Sequence, residues 1–207
     1  LSHDINGTAQ ARSRACAVFF LCALAASTPA AAQAPAATVD QQVAGAVLAA
    51  PDSMRSGATV LGWKGGELVE IRKGSNELIC LADDPATDRF QVACYQASLE
   101  PFMARGRELH KLKLSHTQVD SARSADIKAG RWKMPAAPTA LYNLVSPKDS
   151  IDAATGLPRG KGTRWYVVYI PYATEATSGF STAADGSGRP WLMNPGEPWA
   201  HLMVTPR

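Results

Sequence analysis

A pair of cysteines, a histidine near a carboxylate, and a glycine-rich run carrying cations are the stretches of this 207-residue chain whose residue types could do chemistry. Cys80 and Cys94 stand apart from Cys16 and Cys22, which fall in an apolar N-terminal run. An even pair in an oxidising compartment reads as a disulfide. Zinc binding by the same pair would need two more ligands from His110, His116 and His201, and neither Cys-x-x-Cys nor His-Glu-x-x-His occurs to support it. Asp149 and Asp152 lack the remaining positions of a calcium loop. No metal and no cofactor are expected.

His201, in Glu197-Pro198-Trp199-Ala200-His201, is the best candidate general base. Glu197 is its nearest carboxylate, but on extended chain the two stand too far apart for contact, and a base needs a placed partner. A hydrogen-bonded histidine at the end of a strand is the competing structural role. Gly-x-Ser-x-Gly and Ser-x-x-Lys, the common serine-nucleophile signatures, are absent. The run from Gly156 to Gly162 falls short of a phosphate loop, because one residue is missing between its first glycines and Gly162 replaces the magnesium-binding hydroxyl. Its Arg159 and Lys161, with Arg164, are instead a candidate anion-binding patch. Arg105, Arg107, Lys111 and Lys113 could extend that patch, although Glu108 interrupts them.

The first 34 residues read as a secretory leader. Arg12 and Arg14 precede the apolar run Ala15 to Ala26, and small residues follow, with cleavage expected near Ala32–Ala34. The run is too short to span a hydrocarbon core of about 30 Å, so no transmembrane segment is expected in the mature chain. Secretion or a periplasmic location follows, with Cys16 and Cys22 removed. A net charge of +3 gives no concentrated basic face for nucleic acid.

The elements that must position these residues begin with Thr38 to Ala50. Thr38 and Gln41 fit a capping box, Val39, Val43 and Val47 repeat on one face, and Pro51 ends the helix. Gly65-Gly66 predicts a hairpin over 58–73, with Lys64 opposite Glu67, Gly62 opposite Val69 and Val60 opposite Ile71. A second hairpin spans 77–95. There Leu78, Cys80, Ala82, Phe90, Val92 and Cys94 share one alternation phase, so facing cysteines put all six on one side.

Ser98 is the expected cap of a helix reaching about Leu112. Leu99, Phe102, Met103, Gly106, Leu109 and His110 share its apolar face, and His110 is expected against the sheet. Residues 115–130 are polar with weak helical character, 132–138 must be extended around Pro135 and Pro138, and 140–145 carries no decisive signal. Arg164–Ile170 is the clearest strand, while Trp191–Met193 and Ala200–Val204 are closing strands. The stretches 146–163 and 171–190 are long loops of a kind that commonly bind.

Four segments, NELICLADDP, FQVACYQASLEPFMARGRELH, YVVYIPYAT and PWLMNPGEPWAHLMV, give the chain from about Arg55 onward a resemblance to an uncharacterised family of secreted bacterial proteins. The resemblance implies secretion and a single domain, and it brings no activity or catalytic residue with it.

The fold class expected is α+β: an antiparallel sheet of about five or six strands, with the helix from Ser98 packed on one face. The expected organisation is a leader at 1–34, a lead-in with a short helix at 35–57, and one globular domain at 58–207. The expected function is a non-catalytic binding or structural module whose loops 146–163 and 171–190 contact an unknown small ligand or an envelope protein. A small hydrolase or lyase with His201 as general base, and a binder of anionic envelope components, are the alternatives.

Overall fold

Two glycines with positive φ (Gly65 +59°, Gly66 +82°) close a hairpin between β1 (Thr59–Lys64) and β2 (Glu67–Arg72) in a computed structural model of the chain. The structure describes residues 37–160 and 162–206. The expected leader, 1–34, and Lys161 lie outside those residues. Lys64 pairs with Glu67 and Gly62 with Val69, as the turn dictates. A bulge then places Arg72, not Ile71, opposite Val60. The extra residue frees Ile71 to fold across Gly62, where any Cβ would collide with it. Val69 sits on the edge strand and stays 37% exposed, while Val60 of β1 is wholly buried.

The sheet has eight strands in the order β2-β1-β3-β4-β5-β6-β8-β7, with β3 at Leu78–Leu81, β4 at Arg89–Gln96, β5 at Thr139–Pro147, β6 at Thr163–Tyr169, β7 at Trp191–Met193 and β8 at His201–Val204. The expected five or six strands are too few. The stretch without decisive signal became β5, an interior strand paired with both β4 and β6. The sheet is also mixed, because β3 runs parallel to β1. Gly57 O accepts the Ser75 and Asn76 amides, and Gly74 passes so close to Thr59 that a Cβ there would meet backbone. That tight return carries β3 back beside β1 instead of beside β2.

Cys80 and Cys94 face each other across β3 and β4, joined in a disulfide. The six residues of their alternation phase are all buried in one cluster, as expected, with Val60 and Leu144. Helix α1 (Val39–Ala46) covers this face behind the Thr38–Gln41 capping box. Gly45 and Ala46 of the helix and Ala49 and Ala50 just after it are buried, Val43 and Val47 are half-buried against the cluster, and Val39 is left 53% exposed. Small residues let the helix approach the sheet closely, which the valine spacing alone does not show. Gln42 bonds both the N–H and the C=O of Trp63, serving as a substitute strand partner beyond the end of β3. The lead-in helix therefore belongs to the core of the compact unit Ala36–Arg207.

Helices α2 (Glu100–Lys111) and α3 (His116–Lys128) cover the opposite face. The sheet is thus covered on both faces, where a single helix layer was expected. Ser98 does not cap α2. It lies in a 3-10 turn, Ala97–Leu99, that leads in without a side-chain cap. The buried stripe is Phe102, Gly106 and Leu109, and His110, one step of about 100° further round, is exposed instead of packed on the sheet. Helix α3 begins with a Ser115–Gln118 capping box and buries only Val119 and Asp126.

Candidate functional site

Arg164 and Tyr166 alternate in phase along β6, and the register places Tyr142 of β5 directly across from Tyr166. All three therefore point to the face covered by α1. The two tyrosine rings meet edge to face, with centroids 5.5 Å apart. Above them the chain leaves α1 through a 3-10 turn, Val47–Ala49, and a second one, Asp52–Met54. Between turn and sheet lies a cavity of about 320 Å³, lined by Pro51, Asp52, Arg55, Tyr142, Arg164 and Tyr166.

Two guanidinium groups meet here. Arg164 Nη1 donates to Leu48 O at 2.8 Å, and Arg55 Nη2 donates to the same oxygen at 3.2 Å. Arg55 also donates to Ala50 O and pairs with Asp52 at 2.7 Å. Asp52 is 90% exposed at its side chain, so water screens much of its charge. Arg164 has no carboxylate partner among the described residues. Two like charges bonded to one carbonyl repel each other, and each guanidinium has more donors than that oxygen can engage. The arrangement is chemically suited to an anion held by two planar forks beside two phenol hydroxyls.

The proposed patch divides. Arg159 is paired with Asp152 at 3.4 Å and does not line the cavity, Lys161 is outside the described residues, and Arg164 points under the turn. Arg55, Tyr142 and Tyr166 were not singled out from sequence. The in-phase Arg164-x-Tyr166 pair was the one available signal.

His201 and Glu197 are not brought together in a cavity. His201 Nδ1 lies 2.8 Å from Trp199 O, so that nitrogen carries the hydrogen, and its ring packs on Tyr169 with centroids 5.2 Å apart. Burial pushes the imidazole below the ordinary histidine range, against the pull of the Trp199 hydrogen bond. Burial likewise pushes the Tyr169 hydroxyl up to about 12. Glu197 is exposed and faces a separate groove beside α3. This is the hydrogen-bonded strand-end histidine that was the structural alternative.

The buried polar groups on that face serve packing. Arg123 lies 3.9 Å from the Phe102 ring centroid and donates to Phe102 O, filling the space left by the missing side chain of Gly106. Asp126, 3% exposed, accepts from Arg105 Nε at 2.6 Å and from Arg131 Nε at 2.7 Å, fastening α3 to α2. Burial raises the Asp126 pKa, but the bonds from Arg131 and Arg105 outweigh it and hold the carboxyl below its usual range. A folded-state value below the unfolded one means stability that is complete above about pH 4 and lost as pH falls through the folded value. Asp126→Asn is expected to lose about 1–2 kcal/mol at pH 7, since both arginines are partly in water. It should also flatten the acid limb of stability below about pH 4. Urea unfolding at a series of pH values measures both, and an unchanged acid limb would count against the assignment.

No family model, no curated protein and no solved structure matches this chain.

Proposed function

We propose that this chain is a secreted, envelope-associated bacterial binding module that holds a small anionic ligand, a carboxylate or a phosphate, in the cavity under the Val47–Ala49 turn. The observation that carries the reading is the convergence of Arg55 and Arg164 on Leu48 O beside Tyr142 and Tyr166. Secretion is supported by the arginine-led apolar run with its small-residue boundary, and by a disulfide suited to an oxidising compartment. The role is non-catalytic binding: the cavity offers charge and hydrogen-bond donors, and His201 and Glu197 are elsewhere.

Isothermal titration of the protein with citrate, glucuronate and inorganic phosphate tests the reading. At least one is expected to bind, and Arg164→Ala is expected to weaken it about ten- to a hundredfold, the scale of a lost charge-assisted bond. Arg164→Lys keeps the charge without the fork and should lie between the two. Binding is expected to weaken as salt is added. Equal affinity in wild type and Arg164→Ala, or affinity insensitive to salt, would remove the proposal.

A further inference from the structure

Helix α3 devotes one stripe, Thr117, Ser121, Ser124 and Lys128, to short hydroxyls and a lysine, with Asp120 beside it. Serine and threonine are only moderate helix formers, and among the described residues no intramolecular hydrogen bond engages the Thr117, Ser121 or Ser124 side chains. Their small size leaves a groove of about 540 Å³ against the turn that carries Asn194 and Glu197. At 1.5 Å per residue, the stripe is about 16 Å long.

The opposite wall is pinned. Gly196 N donates to Ala173 O at 2.7 Å, Tyr172 N to Glu197 O at 2.9 Å and Ala200 N to Glu197 O at 3.0 Å. Trp199, stacked on Phe102, backs the turn. A groove held this way needs little ordering when a ligand enters.

We propose that this groove is a second ligand site, for a neutral polyhydroxylated chain, that is, an oligosaccharide. Its lining mixes donors and acceptors: hydroxyls at Thr117, Ser121 and Ser124, an amide at Asn194, carboxylates at Asp120 and Glu197, and the Lys128 ammonium. Sugar hydroxyls both donate and accept, so they match every member of that set. Polyanions do not fit, because two carboxylates oppose one lysine. Peptides do not fit either, since their usual anchors, an apolar pocket or an open strand edge, are missing from the lining, whose apolar members are Ala125 and the largely buried Trp199. A metal-bridged sugar is also not implied, as no cluster of His, Cys, Asp and Glu able to hold an ion is found among the described residues. The site belongs to the α2–α3 face and the anion cavity to the α1 face, so the two can be tested apart.

The test is electrophoresis of the full chain through gels containing dextran, hydroxyethyl cellulose or soluble starch, followed by titration with maltotriose, cellotriose and chitotriose. Retardation by at least one polymer, and saturable binding of its trimer, is expected. Ser121→Arg fills the groove from an exposed position with a better helix former, and it should weaken binding at least tenfold with an unchanged melting temperature. Ser124→Arg is expected to do the same, whereas Arg164→Ala should leave saccharide binding intact. The proposal is overturned if none of these saccharides binds, if Ser121→Arg and Ser124→Arg bind as wild type does, or if a pool of extended peptides occupies the groove instead.

Discussion

Replacing Phe102 by alanine is expected to destabilise the fold by about 4 kcal/mol, the range for removing a buried aromatic ring. The ring is 5% exposed and central to its cluster. It meets Trp132 and Tyr169 edge to face at 5.9 and 5.6 Å and stacks on Trp199 at 6.3 Å. It also supports the Arg123 guanidinium 3.9 Å from its centroid. Removing it leaves a void among large rings that cannot collapse independently, and it takes away the cation's aromatic partner. At about 2–4 °C per kcal/mol for a chain of this size, the melting temperature should fall by roughly 8–16 °C. Near-ultraviolet circular dichroism should weaken as Trp132 and Trp199 lose their fixed packing, and Phe102→Leu should recover much of the loss. A shift of only a degree or two would show that this cluster is not the main support of the α2–α3 layer.

Removing the disulfide is expected to cost about 3 kcal/mol on the chain-entropy estimate for a loop of this size. Cys80 and Cys94 are 14 residues apart in sequence and both wholly buried. The double variant Cys80→Ala/Cys94→Ala should therefore unfold at lower urea, with a melting temperature reduced by about 6–12 °C. Burial adds a kinetic expectation. Reductant should reach the bond only when β3 and β4 open, so reduction of the native protein should be slow and should accelerate in mild denaturant. Equal stability of the double variant and wild type would remove the bond from the forces holding β3 to β4.

The β3–β4 pair shows how far local pattern reaches. Alternation from Leu78 to Cys94 placed six residues on one side, and the facing cysteines needed no slip in register. The Gly65-Gly66 turn, the Thr38 capping box, the β-rich run of β6 and the closing strands β7 and β8 were legible for the same reason. Each depends on neighbours within a few residues. The Ser115–Gln118 box was equally local, but the polar composition of α3 hid its significance. His110 shows the limit of a helical wheel: the wheel gives an apolar side, and the packing partner decides how wide the buried stripe is.

Other features depend on contacts that no window contains. Strand β5 is short of strong local signal because its place between β4 and β6 is secured by neighbours on both sides. The parallel β1–β3 pair follows from the tight return past Gly57 and Gly74, not from either hairpin. The cavity under the Val47–Ala49 turn is assembled from a turn near residue 50 and strands near 142 and 166, across more than a hundred residues of chain. Residue types and their periods established which faces are apolar, which two cysteines share an alternation phase and where the turns fall, because those follow from side-chain alternation and backbone preference over a few residues. Folding alone decided which strand lies beside which, that both faces of the sheet are covered, and that Arg55 meets Arg164, because those depend on where distant segments find the surface that buries them. The histidine and the carboxylate four residues apart in sequence make no hydrogen bond to each other, while two arginines more than a hundred residues apart ended on one carbonyl oxygen.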